Sequence, residues 1–191
     1  MVLQLILPDL MFYHETAKHW SLKEALKFSN ISRDTRGFVA EMPWDFYKYP
    51  IPSNMTLNVF NRIFPNAVGI NISNLRNITD VDFIYLRRIK KLNMDDCRQL
   101  TDAAFTYLTN LTTLNMSYCN QLTITDVAFS YLTNLTALYM SYCNQETITD
   151  AAFTYLTNLT TLHMSRCDQE TITIQMREHL WQRIPNFIDY L

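Results

Sequence analysis

The chain has 191 residues, 48% of them apolar and 18% charged, with a formal net charge of −2. Residues 1–66 hold seven basic and six acidic side chains and the remainder nine and twelve, so neither part has the basic excess that nucleic-acid binding requires. That length and apolar content bury a sizeable core in one domain, or one small domain on a larger one, and no apolar run approaches the ~20 residues of a membrane span.

The opening, MVLQLILPDL, has no basic start and is interrupted by Pro8, so it does not read as a secretory signal. Leu7-Pro8-Asp9 predicts the start of a helix, with proline in its first turn. Leu10, Tyr13, Ala17 and Trp20 then share one helical face. Ser21 and Glu24 form a capping box for a second helix, whose apolar side holds Leu22 and Leu26, with Phe28 and Ile31 beyond. Ser32 caps a third helix through Phe38 and Val39. Three short helices in so few residues need a partner or the rest of the chain for stability.

Residues 42–66 form a connector. Met42-Pro43-Trp44-Asp45-Phe46-Tyr47-Lys48-Tyr49-Pro50 predicts an extended, ring-rich stretch buried against the first coil of the repeats. Asn54 or Thr56 then caps a helix over Leu57–Phe64.

From residue 67 the chain copies itself. Residues 111–134 (LTTLNMSYCNQLTITDVAFSYLTN) and 135–158 (LTALYMSYCNQETITDAAFTYLTN) agree at 19 of 24 positions. A further copy starts at Leu159, and shorter ones start at Ile89 and Ala67. Leu114 and Met116 alternate with Asn115 and Ser117 at strand period. Thr125-Asp126 is helix-capping chemistry, and Ala128, Phe129 and Leu132 make an apolar stripe that Asn134 ends. One such coil cannot bury its stripe alone, so stacked coils are expected to give a solenoid, parallel sheet on one face and helices on the other.

The unit LxxLxMxxC resembles the cysteine-containing leucine-rich repeat. The likeness recurs in register, with Leu or Ile at 89, 111, 135 and 159 and Cys at 97, 119, 143 and 167. The cysteines come one per unit without CxxC pairs or histidines at ligand spacing, which points to buried structural thiols rather than a metal site. No cofactor is expected, and a reducing, cytoplasmic setting follows. Eight N-x-S/T sequons occur, three of them in the repeated TNLT; without a signal none is read as glycosylated. Arg87-Arg88-Ile89-Lys90-Lys91 reads as a solvated helix end. After Thr173 the helix turns polar, with Arg177 where earlier copies have Phe. That fits a C-terminal cap, with Trp181, Phe187 and Ile188 folding over the open end of the core.

Leu7-Pro8, Ser21-Leu22-Lys23-Glu24, Leu26, Ser29, Ile31 and Ser32-Arg33 together resemble an F-box. The resemblance implies that Leu7, Pro8, Leu10, Met11, Trp20, Leu22, Leu26 and Ile31 meet a Skp-type adaptor of a cullin–RING ubiquitin ligase. F-box followed by cysteine-containing leucine-rich repeats is a known family architecture, with residues 1–41 the F-box-like unit, 42–66 the connector and cap helix, and 67–191 the repeats. The low-glycine copies, rich in Asn, Thr and Tyr, also resemble those of amoeba-infecting giant viruses. A second reading keeps the scaffold and drops the adaptor, because HETAKH in the first helix lacks large aliphatic side chains.

A protein target is expected on the concave strand face. Position five of successive units is Asn71, Asn93, Asn115, Tyr139 and His163. Position seven is Ser73, Asp95, Ser117, Ser141 and Ser165, and position eight is Asn74, Asp96, Tyr118, Tyr142 and Arg166. Of these, Asn93, Asp95, Asp96, Asn115, Tyr118, Tyr139, Tyr142, His163 and Arg166 are the candidate contacts, since tyrosine and arginine are typical interface anchors. Catalysis is not expected: His163 lacks a water-excluding pocket and a third orienting group.

Overall fold

A computed structural model describes residues 17, 19–73 and 75–190. The expected first helix, with Leu7, Pro8, Leu10 and Met11, lies outside the described residues. The second and third helices run Leu22–Ser29 and Arg33–Glu41, each opened by a complete capping box, Ser21 with Glu24 and Ser32 with Thr35. Ile31 falls past the end of its helix and is 71% exposed, so it does not join the apolar side expected for it. Thr56, not Asn54, caps the helix Leu57–Ile63 by accepting from Val59 N–H.

Six parallel strands follow in chain order: β1 Gly69–Asn71, β2 Lys91–Asn93, β3 Thr113–Asn115, β4 Ala137–Tyr139, β5 Thr161–His163 and β6 Asn186–Ile188. The pairing has no slips: Ile70, Leu92, Leu114, Leu138, Leu162 and Phe187 form one column. Three residues per strand suffice because the chain keeps bonding beyond each strand. Met116 N–H reaches Tyr139 O at 2.8 Å and Tyr118 N–H reaches Ser141 O at 3.0 Å. Position eight then leaves the sheet through a left-handed residue in each copy that is described there: Asp96, Tyr118, Tyr142 and Arg166, with φ of 56–60°. Ordinary side chains pay for that conformation, and the ladder bond at their own N–H holds them in it.

The return helices are shorter than expected, Asp102–Phe105, Asp126–Ser130 and Asp150–Thr154, and the first unit uses a 3-10 helix, Asp80–Leu86. Leu132 and Asn134 lie past the helix end. A coil of 22–24 residues must also return to the sheet, which leaves room for little more than one helical turn. Between units runs a relay the sequence reading missed. Asp126 at the helix start accepts from Thr149 N–H (2.8 Å) and Thr149 Oγ1–H (2.7 Å) of the next unit. Asp80 with Thr101, Asp102 with Thr125 and Asp150 with Thr173 repeat it. The TNLT asparagines are structural: Asn134 Nδ2 donates to Thr109 O at 2.9 Å and Asn158 Nδ2 to Thr133 O at 2.8 Å.

Leu, Met, Cys, Ile, Ala and Phe of every unit form one continuous core. The four cysteines are free and buried. Each thiol donates to a carbonyl of the preceding unit, Cys143 Sγ to Met116 O and Cys167 Sγ to Met140 O at 3.0 Å. Burial pushes Cys97 and Cys119 up to about 12, Cys167 up to about 11 and Cys143 well above its usual value.

Both ends are closed by residues outside the repeat. At the start the connector adds a bridge, Asp45 beside Gly69, with Phe46 N–H to Gly69 O at 2.9 Å. Trp44 stacks on Phe46 at 5.6 Å and on Trp20 at 6.1 Å, and Phe46 packs edge-on to Phe64 at 5.0 Å. The N-terminal helices are thus fastened to the solenoid by aromatic rings, as the ring-rich connector led one to expect. At the far end, helix Ile174–Arg183 departs from expectation. Trp181 is 69% exposed and does not cover the core. Arg177 turns inward instead, its side chain 11% exposed, and pairs with Asp189 at 2.6 Å. Arg177 also donates to Ile172 O at 3.2 Å and to Cys167 O, which satisfies carbonyls that a further repeat would otherwise meet. Phe187 and Ile188 cap the end as strand β6, a sixth strand that the repeat pattern does not announce.

Candidate functional site

The strand face is built from the positions whose neighbours along the chain are core. Leu114 points inward, so Thr113 and Asn115 point out, and register stacks them into columns. Position three reads Gly69, Lys91, Thr113, Ala137, Thr161 and Asn186 across the sheet, and position five reads Asn71, Asn93, Asn115, Tyr139, His163 and Ile188.

Position five holds two kinds of residue. Asn71 is a correction, being buried and turned to its own backbone: its Oδ1 accepts from Ser73 N–H and Ser73 Oγ–H. Asn93 and Asn115 do the same for Asp95 N–H and Ser117 N–H, each at 3.0 Å, while staying half-buried. Asparagine here closes the turn after the strand. Tyr139 and His163 lack that bond and meet each other instead, ring edge to face at 4.8 Å.

Position eight, past the left-handed turn, presents Tyr118 and Tyr142 stacked at 4.6 Å with their planes 9° apart. They are 43% and 41% exposed, large rings held out by the turn. The Tyr118 hydroxyl is raised by desolvation and by its neighbours Tyr142 and Asp95. Asp96 is held by Arg76 at 3.2 Å and Arg98 at 2.6 Å. Asp95 is raised by burial and by the adjacent Asp96 charge. Arg166 is exposed.

The sequence reading missed that the connector lies on this face. A Cβ on Gly69 would stand 2.0 Å from Asp45 Oδ1 and 3.3 Å from the Tyr47 Cβ, so glycine is required for the connector to cross. Asp45 pairs with Lys91 at 2.7 Å. Tyr47 is half-buried, its hydroxyl pushed up to about 12 by burial, then by Tyr139 and Asp45. Tyr47 and Tyr139 therefore feel each other across the sheet. The signal was available: glycine is rare in this chain, and one of its two stands at a strand start.

The expected adaptor residues fall otherwise. Trp20, Leu22 and Leu26 are half-buried and pack on the chain's own core, whereas Ile31 is exposed. His163 lines neither of two small depressions. One, of about 180 Å³, lies beside Asn54, Thr56 and Asp82, and the other, of about 360 Å³, beside Asn61, Tyr85 and Arg88. Among the described residues no group of acids, histidines or cysteines is placed to hold a metal ion, and no helix is long and apolar enough to cross a membrane.

A leucine rich repeat family model matches residues 109–168. No curated protein matches the chain. Among solved structures, Rad7 in its complex with Elc1 from yeast is 20% identical, with a TM-score of 0.56 over 74% of this chain and 40% of that one. The TLR13–ssRNA13 complex is 23% identical (TM-score 0.46, 55% of this chain and 15% of that one). The Drosophila Toll–Spatzle complex is 15% identical (TM-score 0.45, 60% and 19%). The chain thus spans less than half the length of each of these three solved chains. The match over the central copies, the unslipped parallel sheet and the return helices together make this chain a leucine-rich-repeat solenoid.

Proposed function

We propose that the chain is a protein-interaction scaffold whose strand face holds a protein target and whose residues 1–41 dock a Skp-type adaptor of a cullin–RING ubiquitin ligase. The observation that carries the scaffold is a division of labour between columns. The inward column is Leu in four consecutive strands, while the outward column changes from Asn to Tyr to His on the same backbone. A rigid frame with variable outward groups supports recognition. The chain contributes proximity: it brings lysines of the target near a charged ubiquitin carrier and supplies no chemistry of its own.

The adaptor half rests on the F-box-like pattern over residues 7–40. The test is affinity purification with mass spectrometry from cells expressing wild type, Leu7→Asp with Leu26→Asp, or Ile31→Asp. The last changes an exposed position and spares the core. Loss of the adaptor with retention of the target supports the proposal, and equal adaptor recovery by all three chains refutes its adaptor half. Tyr139→Ala with Tyr142→Ala is expected to lose the target and keep the adaptor.

One observation favours a second reading. Trp20, Leu22 and Leu26 pack on the chain's own core through Trp44 and its neighbours. In that reading the N-terminal helices cap the solenoid, and the chain is a binding scaffold without a ligase role. Purification that recovers a target but no adaptor selects it.

A further inference from the structure

We infer, on the reading that the strand face is the binding surface, that its occupant is an extended segment of a partner protein laid across the strands. This segment carries a cationic and an anionic side chain four residues apart, with a ring or other apolar side chain between them.

Several carboxylates of the chain are already paired. Asp45 holds Lys91, Asp96 holds Arg76 and Arg98, and Asp189 holds Arg177. Asp95 and Arg166 have no ion-pair partner among the described residues. Asp95 follows β2 and Arg166 follows β5. Asp95 Oδ1 is shielded from water and accepts no hydrogen bond among the described residues. A shielded carboxylate oxygen without a donor leaves the charge poorly compensated, and a partner ammonium or guanidinium at the water-accessible Oδ2 offsets that. Arg166 is held out by a left-handed turn and offers the donor fork that suits a carboxylate. The two unpaired charges therefore stand at opposite ends of the site, Asp95 after β2 and Arg166 after β5.

The spacing sets the segment. Three strand spacings separate β2 from β5, about 14 Å at ~4.8 Å each. An extended chain covers that distance in about four residues at ~3.3 Å per residue. Midway stand the stacked rings of Tyr118 and Tyr142, a surface for an apolar or aromatic side chain. Positions five and eight of one unit are only three residues apart, about 10 Å along the chain. The space between Tyr139 and Tyr142, in the unit where the two ring pairs overlap, is thus no wider than a helix with its side chains, about 10–12 Å across, which favours an extended segment. Between them, at position seven, stand the small Ser117, Ser141 and Ser165; Ser165 Oγ already accepts from Tyr190 N–H at 3.3 Å, which leaves the Ser117 and Ser141 hydroxyls to meet a peptide backbone.

The test pans a phage-displayed library of random dodecapeptides on the wild-type chain. Enriched peptides, labelled with fluorescein, are then titrated by anisotropy against wild type, Asp95→Asn, Arg166→Gln and Tyr142→Ala. Asp95→Asn removes a charge that Asp96 repels, and Arg166→Gln changes an exposed side chain, so both should fold; circular dichroism melts check this. The expected peptides pair Lys or Arg with Asp or Glu at a spacing of four. Each charge variant is expected to weaken them about tenfold, and Asp95→Asn combined with Arg166→Gln about a hundredfold, as for independent charge-assisted contacts. Replacing the peptide's cation by Gln should cost affinity for wild type and little for Asp95→Asn. Peptides without the charge pair that still depend on Tyr142 overturn this segment and leave the face as the binding surface. Peptides indifferent to all three variants, or no enrichment, overturn both.

Discussion

The aspartate relay makes a sharp claim about where the stability of this fold resides. Asp126 accepts two hydrogen bonds from Thr149, at 2.8 and 2.7 Å, across the boundary between units. Asp126→Ala leaves a backbone N–H and a hydroxyl without an acceptor in a part-buried layer. A hydrogen bond to a charged group contributes about 1.5–3 kcal/mol. Two at the low end, for a half-exposed site, give about 3 kcal/mol. That is a large share of the roughly 5–15 kcal/mol that holds a domain folded. Asp126→Asn keeps an oxygen for the N–H and should cost about half as much. Because the lost bonds couple neighbouring units, the urea transition should also broaden as cooperativity falls. Urea unfolding followed by circular dichroism reads both effects, with Asp168→Ala as control, since the Asp168 side chain lies outside the relay. An Asp126→Ala cost under about 1 kcal/mol, or an equal cost for Asp168→Ala, would refute the claim.

Gly69→Ala places a Cβ where Asp45 lies; it should destabilise by about 1–3 kcal/mol, and less in an Asp45→Ala background, a double-mutant cycle read from urea midpoints. Arg166→Gly removes a side chain from a left-handed residue and should stabilise by about 1 kcal/mol while weakening target binding; a lower melting temperature would count against the strain. The four cysteines, buried and with thiols raised by burial, should react with a chromogenic disulfide only on unfolding. One fast thiol in the native protein would show that the core is open at that unit.

Elements set by local chemistry were readable. The capping box at Ser21 and the cap at Ser32 involve residues three apart, and the copies announce their own register. What escaped depends on contacts that no short window contains. The relay joins Asp126 to a threonine 23 positions away, so each half looked like an ordinary helix cap. Tyr47 and Asp45 reach the strand face only because Gly69 lets the connector cross. Arg177 looked like solvated cap chemistry because polarity suggests exposure, yet Asp189 and two carbonyls draw it inward. Of the three residues expected to close the end, Phe187 and Ile188 do so as strand β6, while Trp181 is exposed. At the face itself, the alternation placed the columns correctly. It did not reveal that asparagine at position five serves its own turn, leaving Tyr139 and His163 to differ in kind from Asn93 and Asn115.

The relay also bears on how such a chain changes length. Every helix-start aspartate is answered by a threonine of the next unit, and the units at 111 and 135 present the same pair of ends. A duplicated 24-residue block inserted between them would find its acceptor on one side and its donor on the other, and would fold without any compensating change. Duplication or loss of such a block is therefore tolerated by construction. Each event would move Arg166 relative to Asp95 by one strand spacing, about 4.8 Å, so the same recombination that alters the number of coils would also reset the separation of the two charges.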